Sequence, residues 1–221
     1  MGKAQIAVMS HVILHDYFRS SASYRVRIGL NLKGIEYRST MVNLVTSEQS
    51  QAAYHELNPQ GFVPLLEIDG HRLTQSLAIL DYMDATHKQP PFVPHDPAER
   101  SHVLAMALVV ACDIHPLNNL RVLRYLRGPL GHSQDESDVW YRHWIAEGLP
   151  ALEAMAAKSA GQWLNGDAVS LADICLVPQL YNARRNDTPL DAYPTLVRID
   201  AAACQHPAFA AAHPDRQEQP A

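Results

Sequence analysis

Apolar positions fall into short runs in the first third of the chain and into long helical patterns after it. "HVILH" (11–15) is a compact apolar run and predicts a strand. In "YRVRIGLNLKG" Val26, Ile28, Leu30 and Leu32 alternate, which by itself favours a strand. A helix is the better reading, because serines stand ahead of it as N-cap candidates and Lys33-Gly34 closes it as a cationic turn with a glycine stop. A helix buried on both sides also shows apolar residues on both faces.

"IEYRSTMV" (35–42) alternates and is rich in β-branched residues, so it predicts a second strand. "SEQSQAAYHEL" (47–57) predicts a short helix. "FVPLLEIDGHRLT" (62–74) predicts a hairpin turning at Asp69-Gly70, with Pro64 at the start of its first strand, where a missing N–H is tolerated. "SLAILDYMDATH" (76–87) has Leu77, Leu80 and Met83 at helical spacing. The order is βαβαββα.

Four prolines then fall within "KQPPFVPHDP", which reads as an interdomain linker. Only helical patterns follow. Residues 98–128 are long and apolar, with Pro116 expected to interrupt them. "DESDVWYRHWIAEGLPALEAMAA" is a second unit, and Trp140, Tyr141 and Trp144 read as core or interface aromatics. "VSLADICLVPQLYNARRN" is a third, with Ser170 and Asp173 as a capping box. The tail "HPDRQEQPA" reads as frayed. The predicted domains are 1–88 (with 1–10 an extension), a linker at 89–98, and an all-helical 99–221.

Composition narrows the function classes. The 221-residue chain carries a net charge of -5, against a general nucleic-acid binder. No stretch approaches the roughly 20 apolar residues of a membrane span, and the N-terminal apolar run is too short for a signal peptide. Three scattered cysteines (Cys112, Cys175, Cys204) argue against a disulfide framework and for a reducing compartment, so a cytoplasmic location is expected. His11 and His15 have the spacing of a zinc pair, but the residues between them read as strand and no third ligand is near, so no metal site is expected.

The chemistry concentrates at "YFRSSASYRVRIGL". The serines either cap the helix or offer spare donors to an anion, and local sequence leaves both open. Arginines form a second group: Arg121, Arg124 and Arg127 at intervals of three with no acid between them, and Arg184-Arg185. Guanidinium groups bind carboxylates bidentately.

"SSASYRVRIGLNLKGIEY", "LNPQGFVPLLEIDG", "LTQSLAILDYMD", "CDIHPLNNLRVLRYL" and "SLADICLVPQLYNARR" occur in order from about His11 to Ala210. Together they resemble the zeta-class glutathione transferases, which include maleylacetoacetate and maleylpyruvate isomerases; "DIHPLNN" looks closest to the latter. The resemblance implies a thioredoxin-like glutathione-binding domain followed by an all-helical substrate domain, and a homodimer. It implies Ser20 as hydrogen-bond donor to the glutathione thiolate, with Ser21 assisting. Val63 would present its backbone to the cysteinyl part beside a cis Pro64. Gln75 and Ser76 would hold the γ-glutamyl end at a helix N-terminus, and Gln49 the glycyl end. His115, Asn118 and Asn119 would line the pocket. Arg19, Arg121 and Arg185 would clamp the dicarboxylate substrate, with Arg124, Arg127 and Arg184 left as surface or structural residues. Asp173 would be a folding cap.

The physics of a serine thiolate site is adequate. A free thiol has a pKa of roughly 8.5, and each unit of depression needs about 1.36 kcal/mol. A helix N-terminus supplies up to about 2 kcal/mol, and a hydrogen bond to a charged acceptor roughly 1.5–3. The implied reaction is conjugate addition of the thiolate to a cis double bond, rotation, and elimination to the trans product, with the arginines stabilising the enolate. Ala22 replaces the family's usual cysteine, so chemistry needing a protein thiol there, such as reductive dehalogenation, is not implied. Two alternatives stand beside the isomerase: a general transferase conjugating electrophiles, which would not need three arginines, and a non-catalytic binding protein of the same fold, against which Ser20, Val63-Pro64 and Gln75-Ser76 argue.

Overall fold

A computed structural model describes residues 12–220; the predicted extension at 1–10 and His11 lie outside them. Four short strands form one sheet: β1 (Ile13–Asp16), β2 (Arg38–Met41), β3 (Leu65–Ile68) and β4 (His71–Thr74), in spatial order β2-β1-β3-β4. β1 runs parallel to β2 and antiparallel to β3, with Leu14 opposite Leu66. β3 and β4 form the hairpin. Asp69 and Gly70 both have positive φ (51° and 78°), the geometry a two-residue strand reversal demands.

Helix α1 (Ser21–Leu32) follows β1, α2 (Ala52–Leu57) follows β2, and α3 (Ser76–Thr86) follows β4. The alternation in α1 reflects burial on every side: α1 packs against α3, against α7 (Leu171–Arg185) and against α9 (Pro207–Ala212). Val26, Ile28, Gly29 and Leu30 are all buried. A Cβ on Gly29 would overlap Leu80 Cδ2 and come within 2.9 Å of Met83 Cε, so the absent side chain lets α1 and α3 approach closely.

Arg27, also on α1, is fully buried. Its Nη1 donates to both carboxylate oxygens of Asp16 (2.8 and 2.7 Å), its Nη2 to the Phe18 carbonyl (3.0 Å) and its Nε to the Ala212 carbonyl (3.0 Å). Such a pair tolerates burial because each donor meets an acceptor.

The proline-rich stretch is packed as well as a connection. Phe92 and Val93 are buried core residues. Lys33 lies over the Phe92 ring and donates to Asp84 (2.8 Å) and to the carbonyls of His87 and Pro90 (2.6 Å each). Its charge is held by these groups in addition to closing α1. Helix α4 (Pro97–Leu108) begins inside this stretch, capped by the Asp96 carboxylate.

Pro116 breaks the next helical pattern as expected. α4 runs into a single wide π-helical turn (Val109–Ile114), and α5 (Leu120–Arg127) starts afresh from the Asn119 cap. α6 (Gln134–Ser159), α7, α8 (Pro194–Ala203) and α9 complete the helical part. Tyr141 is buried in the core, while Trp140 and Trp144 are half-buried and touch edge to face. Asp173 caps α7: its carboxylate accepts from Ser170 N (2.8 Å), Ser170 Oγ (2.7 Å) and Leu164 N (2.9 Å). The tail corrects the expectation of fraying. Pro214 is buried, and Gln217 donates to the Ala211 and His213 carbonyls.

Candidate active site

Two adjoining cavities lie between the sheet half and the helices that follow it. The larger, about 860 Å³, is walled by the start of α1, the segment from Leu44 to Val63, the chain from His115 into α5, and residues of α6 and α7. The smaller, about 210 Å³, lies between α1, the start of α3 and the π-helical turn. His115, Asn119, Arg121 and Val63 line both.

Ser20 is extended (φ -69°, ψ 118°) and caps α1, its Oγ accepting from Ser23 N at 3.2 Å. Accepting that bond leaves the Ser20 O–H available as a donor toward the larger cavity it lines. The N–H groups of Ser21 and Ala22 belong to the first turn, which has no intrahelical acceptors for them. Ser21 lines the same cavity, its Oγ held by Asn182 Nδ2 of α7. Cap and donor are thus both available at one serine.

Val63 precedes β3, outside the ladder register, and the Val63-Pro64 bond is cis. Gln75 adopts φ 67°, an unusual conformation for a non-glycine residue, and delivers the chain into α3 with Ser76 as its first residue. The Gln75 side chain donates to Gln60 Oε1 (3.0 Å), which leaves the α3 N-terminus itself as the anion-binding feature there. Gln49 is buried on the larger cavity, and its Oε1 has no partner among the described residues.

Arg19, Arg121, Arg124, Arg127 and Arg185 all line the larger cavity, and neither cavity wall contains an aspartate or glutamate among the described residues. The five differ in engagement. Arg124 donates to the Leu44 carbonyl (2.6 Å) and ties α5 to the loop after β2. Arg127 bonds the Leu123 carbonyl and the Gln134 side chain. Arg19 and Arg121 rest over the rings of Phe18 and Phe62, at 4.9 and 5.0 Å, with no acid among the described residues paired to them. Arg185 likewise has no acidic partner among the described residues. Arg184 points elsewhere, bonded to Asp200 at 2.6 Å. The sequence expectation set Arg124 and Arg127 aside as surface or structural residues; both line the same cavity as Arg19, Arg121 and Arg185.

His115 ends the π-helical turn, half-buried between the cavities. Burial, aided by the Arg25 charge, lowers its pKa to about 3, so the ring is neutral near pH 7. Asn118 is tied to the Tyr141 carbonyl (3.0 Å). The Asn119 carbonyl oxygen is used as the α5 cap, which leaves its NH₂ for the cavity. Tyr141, pushed up to about 12 by burial, stays protonated.

The sequence did not single out Tyr17, Phe62, Asn182 or Arg25 as site residues. It also suggested a region free of protein thiols. The structure corrects this in part: Cys112, on the π-helical turn, lines the smaller cavity, while the larger one beside Ser20 has none. Nothing local in "VVACDI" marks that cysteine, which is exposed where it lines the cavity. His15 is engaged by Glu67 (2.7 Å), and its suggested zinc companion His11 lies outside the described residues.

The family of the glutathione S-transferase N-terminal domain matches residues 19–86. A probable maleylacetoacetate isomerase of Vibrio cholerae is 49% identical over 95% of this chain and 98% of its own. Among solved structures, a zeta-class maleylpyruvate isomerase in its holo form superposes with a TM-score of 0.92 at 39% identity, covering 95% of this chain and 100% of that one. A maleylacetoacetate isomerase of Anaeromyxobacter dehalogenans, with dicarboxyethyl glutathione and citrate in its active site, superposes with a TM-score of 0.84 at 44% identity, covering 94% and 96%.

Proposed function

Since the chain belongs to the zeta-class glutathione transferase family, in the branch of the maleylacetoacetate and maleylpyruvate isomerases, we propose that it is a glutathione-dependent cis–trans isomerase of a maleyl keto acid. The substrate is maleylpyruvate or maleylacetoacetate, the product its fumaryl isomer, and the setting aromatic-compound catabolism. The observation that carries the reading is the cleft wall: five arginines and no acid among the described residues, in a chain whose net charge is -5. A dianion is drawn into such a cleft, whereas an acceptor site for apolar electrophiles has no use for that charge.

The residues present fit glutathione. Among the described residues, donors line both cavities without a competing carboxylate, and buried polar atoms of Gln49 and Arg25 stand without partners. Ser20, Ser21, Val63, Pro64, Gln75, Ser76, Gln49, His115 and Asn119 would hold it. Bound glutathione supplies a thiolate for reversible addition to the cis double bond, which is what permits rotation. Ser20 Oγ–H, aimed into the larger cavity from the positive end of α1, lowers the energy of a negative sulfur there. Arg19, Arg121 and Arg185 fix the two carboxylates and stabilise negative charge that develops on the keto acid. Neutral His115 adds a hydrogen-bonding group without a charge of its own.

The reading includes a thioredoxin-like domain at 1–88, a helical one at 99–221 and the joining segment 89–98. It also includes a cytoplasmic homodimer without nucleic-acid or membrane partners. No helix among the described residues is long and apolar enough to cross a membrane. The deciding experiment follows loss of maleylpyruvate and of maleylacetoacetate with and without glutathione. Turnover of at least one, only with glutathione, is expected; turnover of neither overturns the proposal.

A further inference from the structure

Arg25 stands two residues before Arg27 on α1 and is 2% exposed. A guanidinium keeps its charge throughout the physiological range. An isolated buried charge is costly, so a counter-charge or a set of acceptors is expected around it. Among the described residues Arg25 has neither. Its one hydrogen bond runs from Nη1 to Ser76 Oγ at 3.4 Å, and Nε and Nη2 have no partner. The nearby titratable groups are the thiols of Cys175 and Cys112 and the imidazole of His115.

The side chain forms part of the wall of the smaller cavity, together with Ser76, Gln75, Asn58, His115 and Arg121. That space is large enough for an amino-acid-sized group. It also faces the N-terminus of α3, an 11-residue helix whose dipole adds to the positive potential. Arg25 further decides where the Ser76 proton goes. By donating to Ser76 Oγ it takes an acceptor position of that hydroxyl, so the Ser76 O–H is left to donate to whatever fills the cavity. A buried cation, a helix start and an oriented hydroxyl converge where no acid stands among the described residues.

We propose that Arg25 supplies the counter-charge for the γ-glutamyl α-carboxylate of glutathione, directly and through Ser76 Oγ. The inference rests on the glutathione reading above. Both ends of glutathione carry a carboxylate; the γ-glutamyl one is assigned because it is the end placed at Gln75-Ser76.

The test measures affinities of wild type, Arg25→Met and Arg25→Lys for three tripeptide-derived probes. These are glutathione, γ-aminobutyryl-cysteinyl-glycine (without the γ-glutamyl carboxylate) and γ-glutamylcysteine (without the glycyl carboxylate). Arg25→Met weakens glutathione and γ-glutamylcysteine by about 30-fold or more, the usual scale for unpairing a buried charge. It leaves the decarboxylated probe within threefold, and Arg25→Lys recovers part of the loss. A loss below tenfold for glutathione, or an equal loss for the decarboxylated probe, overturns the inference while glutathione binding by the wild type stands. A loss that vanishes for γ-glutamylcysteine moves Arg25 to the glycyl end and overturns the assignment. Absence of glutathione binding by the wild type brings down the functional reading and this inference with it. Should Arg25→Met not fold, Arg25→Lys decides: about a tenfold loss confined to probes with the γ-glutamyl carboxylate supports the inference, and unchanged affinities overturn it.

Discussion

Arg25 and Arg27 sit two residues apart on one helix, both buried, in environments of opposite kind. Arg27 is a closed circuit: an Asp16 carboxylate and two main-chain carbonyls take up its donors. Arg25 is open: it lines a cavity, makes one long bond, and has two buried nitrogens without a partner among the described residues. The first arrangement holds the fold together, since it ties β1 to the C-terminal helices through Ala212. The second leaves a buried charge without a counter-charge among the described residues, the place we assign to the γ-glutamyl carboxylate. Burial alone therefore does not separate structural from functional arginines; the state of their donors does.

The largest test of that contrast is stability. Arg27→Met strands the buried Asp16 carboxylate and should cost about 3–5 kcal/mol in urea unfolding. Arg25→Met should cost the ligand-free protein less than about 1 kcal/mol, because it removes a buried charge that has no counter-charge among the described residues. Equal losses would break the comparison.

The next effect falls on Ser20, which is both a cap and a spare donor. Ser20→Ala should lower stability by about 1 kcal/mol. It should also raise the pKa of the bound thiol by one to two units, read by ultraviolet thiolate absorbance, and lower turnover at neutral pH about 10- to 100-fold. A stability loss with an unmoved thiol pKa would reduce Ser20 to a cap.

Smaller effects are expected at the cleft mouth, where Arg121 and Arg185 are exposed and solvent screens their charge. Either one changed to alanine should raise the KM for the maleyl acid by about 5- to 30-fold, the loss of one charge-assisted contact, with glutathione affinity unchanged. Parallel loss of both would place these arginines with Arg25 instead.

The smallest is a pH effect. Unfolded, His115 titrates near 6.5; folded, burial and then the Arg25 charge bring it down to about 3. Between those limits the unfolded chain binds a proton that the folded protein does not. Stability present above pH 6.5 is therefore lost as pH falls toward 3, by at most about 1.36 kcal/mol per unit. Denaturant titrations across that range should show a shallower acid limb for His115→Gln. Arg25→Met should flatten it in part, by allowing the folded imidazole to take up its proton at higher pH.

What could be read from sequence follows from the range of the interactions involved. The α1 helix was legible despite its alternating pattern because its serine cap and glycine stop are local signals. The serines and the cleft arginines were legible as chemistry, and the family resemblance gave them places. Arg25 and Arg27 were not separable, since "YRVR" is one motif and the partners of Arg27 lie 11 and 185 positions away. Phe92, Val93 and Pro214 are buried although proline-rich and terminal segments suggest exposure, because their partners come from elsewhere in the chain. Cys112 depends on a wide helical turn that composition does not announce.

Gly29 gives the site a caliper. α1 and α3 meet where its side chain is missing, and each helix begins at a group that faces a cavity, Ser20 at one jaw and Ser76 at the other. The pivot lies in the dry core, away from both jaws. The spacing of the two jaws thus depends on a single absent methyl group, at a point that lines neither cavity.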